Sequence, residues 1–139
     1  MINTAMTQEL WYLTLIVAIT GIFWLPYGLI NKIKVRGLMG TMGYPDPAKP
    51  LSPWAERMKL AHSNAIENLV LFAPLVIIAH VLNIHNAITV LACMIYFWGR
   101  IVHMLAYVFA IPVVRTLGFV AGFIAKMMLV WQILHLQIA

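Results

Sequence analysis

Between Leu10 and Ile30 the chain carries no charged residue, and about 20 consecutive apolar residues are what a helix needs to cross the hydrocarbon core of a bilayer. Inside lipid every backbone N–H and C=O must be satisfied within its own segment, so a run of this kind is a helix. Trp11 and Tyr12 at one end and Trp24 and Tyr27 near the other are placed as interfacial anchors. Three more apolar runs follow, and the spacing predicts helices over about 8–31, 53–82, 87–109 and 112–137. Of the 139 residues, 63% are hydrophobic and 9% charged, against roughly 25% charged in a soluble domain. Four spans with short links exhaust that length. The expected fold is all-α, an integral membrane four-helix bundle forming one domain over 1–139.

Punctuation between the runs is local. Pro26 should kink or end the first helix, because proline removes a backbone donor. Residues 31–53 hold Lys32, Lys34, Arg36 and Lys49 among Gly37, Gly40, Gly43, Pro45 and Pro47, and read as an irregular loop outside the hydrocarbon. Ser52 and Pro53 suit an N-cap and first helical position, with Glu56 in the first turn. Pro74 should bend the second helix, and Pro112 opens the fourth after a very short turn. The start of the chain lacks a basic segment and precedes an apolar run too long for a cleaved signal, so the first span is expected to be retained. Basic residues concentrate in the first loop, with Arg115 beside the third, so these two loops are expected to be cytoplasmic and both termini opposite. The net charge of +5 is spread between apolar spans, which points to membrane lipids or an anionic ligand and away from nucleic acid. Cys93, the single cysteine, lies in an apolar run and is expected to pack.

The stretch Trp54–Phe72 is where the polar chemistry gathers. An ionisable group at membrane depth costs roughly 3 kcal/mol, and its presence there points to function. At 100° per residue Arg57, Ala61, Asn64 and Asn68 share one face of the second helix, with Glu67 on the adjoining edge. In the third helix Tyr96, Arg100, His103 and Tyr107 form a second stripe. Neither stripe suits lipid, so they should face each other or a cavity. The simplest pairing joins Glu67 to Arg100 as a buried ion pair, with Asn64 and Asn68 completing the hydrogen bonds. Such a network either glues helices in register or, since Arg57, Arg100, His103 and Arg115 outnumber Glu67, holds an anion. Lys126 fits neither stripe and has three readings: snorkelling, pairing at an oligomer interface, or lining the cavity. The pair Gly118 and Gly122, four apart, would permit close helix approach. No serine or cysteine stands in a nucleophile triad. The histidines are scattered, His80 and His85 read as interfacial, and no metal site is expected.

These motifs carry a resemblance. E-R-x-x-x-A-H-x-N-x-x-E-N in the second helix, from Glu56 to Asn68, G-R-x-x-H-x-x-A-Y in the third, from Gly99 to Tyr107, and Arg115-Thr116 after the proline turn resemble the MAPEG superfamily, membrane-associated proteins in eicosanoid and glutathione metabolism. The likeness covers nearly the whole chain and is nearest to the bacterial branch, implying a bacterial inner membrane. It implies a homotrimer with glutathione bound between subunits near the cytoplasmic face and a lipophilic small molecule entering from the bilayer. Carried over by position, Arg57, Asn64, Glu67, Arg100, His103 and Tyr107 would build or support the glutathione site, and Arg115 would stabilise the thiolate. The implied activity is a glutathione-dependent transferase or peroxidase acting on lipophilic electrophiles. Leu60 and Ser63 stand where the prostaglandin synthase branch has two gripping arginines; Lys32, Arg36 or Lys59 could replace them. The superfamily also includes a non-catalytic member, so a lipid-binding component of a larger membrane complex is the alternative.

Overall fold

The structure, a computed structural model, describes residues 6–138, with side chains to residue 135. Five α-helices, α1 (Gln8–Ile22), α2 (Lys32–Met42), α3 (Pro53–Val81), α4 (Ala87–Val108) and α5 (Pro112–Ile138), follow in order, with a π-helical turn at Leu25–Asn31 between the first two. No strand occurs among the described residues. Four segments are long and apolar enough to cross a membrane: Gln8–Met42, Pro53–Val81, Ala87–Val108 and Pro112–His135. This is an integral membrane protein. The expectation concerning the first residues of the chain lies outside the described residues.

The first span departs from the sequence reading. The α-helical ladder stops at Ile22, and the backbone widens into π geometry at Leu25–Asn31, where Pro26 sits in the first turn without an N–H to give. Beyond it, the segment read as irregular loop is helical through Met42. The kink falls at Gly37, whose φ of 73° lies in the left-handed region open to glycine. Gly40 stays inside that helix, whereas Gly43 ends it in extended conformation and residues 43–52, with Pro45 and Pro47, are irregular as expected. Asn31 ties this first span to the start of α3, its side-chain NH2 donating to Ser52 Oγ at 2.8 Å and its Oδ1 accepting from Ser52 N at 3.0 Å. Ser52 occupies the N-cap position of α3, but its hydroxyl makes no capping bond. The remaining bounds follow local chemistry. Pro53 opens α3, which continues through Pro74 to Val81. Asn86 caps α4 in a capping box with Thr89, and Pro112 opens α5.

Leu13 and Ile16 of α1, Phe72 and Val76 of α3, Tyr96 and Met104 of α4 and Leu129 of α5 bury one another in a single core, beside the buried Cys93 thiol. Phe72 and Tyr96 stack with centroids 3.6 Å apart and planes 4° from parallel. Helices α4 and α5 make the most extensive contact, and the two glycines explain it. A Cβ on Gly118 would lie 2.7 Å from the Gly99 carbonyl oxygen and 2.8 Å from His103 N, so α5 meets α4 backbone to backbone there. One turn on, a Cβ on Gly122 would meet Arg100 Cδ at 3.3 Å. The small residues thus make room for the guanidinium side chain that the site uses.

Candidate functional site

Arg100 is 1% exposed, at the centre of α4. Its Nη2 donates to Asn64 Oδ1 on α3 at 2.8 Å. The Glu67–Arg100 ion pair expected from the sequence does not form: the one ion pair among the described residues is His85 with Glu9. Glu67 lies on the exposed side of α3, where Ser63 Oγ approaches it at 3.4 Å. The reason is rotational. Glu67 is three residues from Asn64, about 60° around the helix at 100° per residue, and Asn64 rather than Glu67 faces α4. Asn68 is buried, but its partner is also different from that expected. Its Oδ1 accepts from Lys126 Nζ at 2.7 Å, which places Lys126 of α5 inside its own protomer, 6% exposed.

Toward the α4–α5 turn the other candidates converge. The Arg115 carbonyl can only accept, so His103 Nδ1 donates to it at 2.8 Å, fixing the neutral ring as the Nδ1–H tautomer. The free Nε2 of His103, and the Nε and Nη1 of Arg100, are buried with no partner among the described residues. His103 is edge-on to Tyr107 at 5.8 Å, and the Arg115 guanidinium lies 4.8 Å from the Tyr107 ring centroid, a cation–π contact. Arg57 Nε donates to the Val108 carbonyl at 2.8 Å, satisfying a last-turn acceptor of α4. Arg57, Tyr107, Ile111, Pro112 and Arg115 line one cavity of about 210 Å³. Of the seven sequence candidates, Asn64 and Arg100 are thus joined directly, and His103, Tyr107, Arg115 and Arg57 cluster at the turn; Glu67 stands apart. A second cavity of about 290 Å³ lies between the first span and α3, lined by Lys32, Arg36 and Lys59 with Glu56 and Tyr27.

Two buried polar sets escaped the sequence reading. Glu9 is 4% exposed; Thr89 Oγ1 donates to its Oε1 at 2.6 Å and His85 Nδ1 approaches the same oxygen at 3.4 Å. His85 is therefore held by a carboxylate of the first helix. Asn86 Nδ2 donates to Gln132 Oε1 at 2.9 Å, closing the same end of the bundle. Tyr27 Oη lies 2.6 Å from His62 Nδ1, so Tyr27 also holds the first span to α3. The one signal available was Asn86 with Thr89 three residues on, which marks a capping box.

No curated protein and no solved structure matches the chain. The MAPEG family model matches residues 12–135, which reaches into every helix and includes all seven candidate residues from Arg57 to Arg115. A four-span bundle in which an α3 asparagine meets the α4 arginine, under a family match of nearly full length, places this chain in the MAPEG family.

Proposed function

We propose that the protein is a membrane-embedded glutathione-dependent transferase or peroxidase acting on lipophilic electrophiles, working as a homotrimer in a bacterial inner membrane with the first and third loops cytoplasmic. The carrying observation is the cluster at the α4–α5 turn. Arg115 lines a cavity with Arg57 and Tyr107, and no carboxylate lies within ion-pair distance of either arginine among the described residues. A cation without a counterion in a partly enclosed apolar setting favours an anionic ligand. Beside a thiol it favours the thiolate, which is the nucleophile. In the transferase direction that sulfur forms a bond to an electrophilic carbon of the acceptor and the leaving group departs with the electron pair. In the peroxidase direction two thiols are oxidised to a disulfide while a peroxide is reduced to an alcohol and water.

The tripeptide needs grips for its carboxylates. Leu60 is 54% exposed and Ser63 is exposed, and neither supplies one. Lys32, Arg36 and Lys59 line the 290 Å³ cavity and are the candidate grips, though a lysine offers a point charge without the guanidinium fork. Glu67 supports assembly. A carboxylate on an exposed face of a spanning helix is costly against lipid, and a neighbouring copy that covers it removes that cost. The test is glutathione binding to purified protein, with the ultraviolet absorbance of the bound thiolate lost in Arg115→Ala. No binding at millimolar glutathione overturns the reading. The second reading, a non-catalytic lipid-binding component, draws on Leu60 and Ser63; it requires Arg115→Ala to leave every function intact while Arg100→Ala disassembles the protein.

A further inference from the structure

The cavity of about 290 Å³ between the first span and α3 is lined by charges that do not neutralise one another. Lys32 and Arg36 come from α2, Glu56 and Lys59 from α3. No ion pair joins any of them, since the one ion pair among the described residues is that of His85 with Glu9. Three cations thus surround one carboxylate without touching it. Lys32, Arg36 and Glu56 are half-buried, so their charges are screened less than those of free surface groups. The Arg36 guanidinium is held through Nε, which donates to the Lys49 carbonyl at 2.8 Å, and its two terminal nitrogens carry no further bond among the described residues.

The walls of this cavity are pinned on three sides. Tyr27 Oη meets His62 Nδ1 at 2.6 Å, Asn31 and Ser52 exchange two hydrogen bonds, and Arg36 ties α2 to the loop before α3. A space held open in this way does not close when its charges attract. It also stands apart from the thiol end. Lys59 is two residues past Arg57, about 200° around α3 at 100° per residue, so the 210 Å³ cavity with Arg115 opens on the other side of that helix. The chain on either side sets its level in the membrane. The π-helical turn of the first span ends at Asn31, just before Lys32, and Tyr27 lies within that turn. Leu29, Ile30 and Ile33, next to the lining residues in the chain, are exposed, Ile30 to 63%. Cations at the membrane surface with exposed apolar side chains beside them match the two halves of a lipid, its phosphate and its acyl chains.

We propose that this cavity binds one anionic phospholipid of the membrane, with the headgroup phosphate held by Lys32, Arg36 and Lys59 and the acyl chains lying along Leu29 and Ile30. Three cations less one carboxylate leave two positive charges. That excess favours an anionic headgroup over a zwitterionic one, whose ammonium would add a further cation. Glu56 selects within the anionic class. An ionised carboxylate can only accept hydrogen bonds, so a headgroup that carries hydroxyls, such as glycerol, satisfies it, where a bare phosphate would be repelled. The exposed apolar flank favours a lipid over a soluble phosphate. The lipid site does not rest on the glutathione reading. Where that reading holds, the same three cations are the candidate grips for the tripeptide carboxylates, and lipid and tripeptide compete for them.

The experiment mixes the full-length protein, in mild detergent and without glutathione, with phosphatidylglycerol and phosphatidylethanolamine of identical chains, and reads the retained lipid by native mass spectrometry. Phosphatidylglycerol should be retained in preference to phosphatidylethanolamine. Lys32→Gln and Arg36→Gln should each weaken that retention about fivefold. Lys32 has no hydrogen bond among the described residues to lose, so its replacement leaves the fold intact. Lys34 is exposed and lies outside the cavity lining, so Lys34→Gln should change retention by less than about twofold. Equal losses in Lys32→Gln and Lys34→Gln would reduce the effect to diffuse attraction between a basic segment and an anionic surface, and would overturn the site. Equal retention of the two lipids would overturn it as well. Inorganic phosphate that displaces the lipid, and whose own binding is lost in Lys32→Gln, would give the cavity to a soluble phosphate instead. Glutathione affinity is measured separately, in bilayer discs of phosphatidylglycerol and of phosphatidylcholine, and competition makes it weaker in the first. Equal affinity in both discs overturns the competition. No glutathione binding in either disc overturns the proposed function alone, while selective retention that is lost in Lys32→Gln sustains the lipid site.

Discussion

Arg100 shows how a charged side chain survives inside a membrane bundle. Its aliphatic part passes Gly122, where a methyl group would already crowd it, and its head has one acceptor among the described residues, Asn64 Oδ1. Taking that acceptor away leaves a fully buried guanidinium with nothing to bond. Asn64→Leu should therefore lower stability by about 2–3 kcal/mol, read as thermal unfolding in detergent. Asn64→Asp keeps the oxygen and adds an opposite charge, so it should unfold no earlier than wild type. The two substitutions separate the loss of an acceptor from any change at that position. At the other end of the bundle Glu9 plays the complementary part, a buried carboxylate held by Thr89 and His85. Glu9→Ala leaves the Thr89 hydroxyl the Asn86 carbonyl at 2.8 Å and should cost about 1 kcal/mol, whereas Thr89→Val strands the buried Glu9 carboxylate and the Asn86 N–H that the hydroxyl caps, and should cost about 2–3 kcal/mol. An outcome in which both variants unfold alike would deny that the stranded partner is the source of the loss.

At the scale of the helices, the packing of α4 on α5 sets the distances in the site. Gly118→Ala places a methyl group on the backbone of Gly99 and His103, neither of which can move aside as a side chain would. It should cost about 1–3 kcal/mol by overpacking. It should also weaken glutathione binding beyond what stability explains, since His103 and Arg115 are joined across that contact. The turn between the two helices has the opposite fault. Ala110 sits at φ 59°, where a Cβ is strained, so Ala110→Gly should raise stability by up to about 1 kcal/mol, checked by the same melting measurement. What could be read in advance follows from these contacts. The bounds of α3, α4 and α5 were legible because Pro53, Asn86 and Pro112 act on their own backbone. The helical α2 was not, because Gly37, Gly40 and Gly43 look alike in sequence and only Gly37 takes a positive φ. The two polar stripes were legible from periodicity, but periodicity gives an angle and not a partner: it set Glu67 and Asn64 side by side and could not say which one met Arg100. Lys126 with Asn68 and Glu9 with Thr89 join residues 58 and 80 apart in the chain, and no local pattern connects them.

The whole molecule poses the question of what covers its surface. Apolar side chains are exposed along every span, as lipid requires, but α3 presents Glu67 and Ser63 on the same side as the exposed Leu60, Ile66, Val70 and Leu71. A carboxylate cannot rest in hydrocarbon without cost, and the excess of basic over acidic residues in the chain means that a second copy brings donors more readily than further acids. The proposed homotrimer puts that face against a neighbour. The detergent-corrected mass should then be three times the 15.7 kDa chain. Glu67→Gln keeps a hydrogen-bonding group of the same shape and should preserve the trimer on concentrated samples while lowering its resistance to dilution. Glu67→Lys sets a cation against the donors that the carboxylate met, and like charges brought together in a setting of low dielectric repel strongly, so its mass should fall toward that of one chain. A wild-type mass of one chain at every dilution in mild detergent would remove the neighbour from the account, and with it the shared glutathione cleft. A trimer that is indifferent to Glu67→Lys would keep the assembly and move its interface to another face of the bundle.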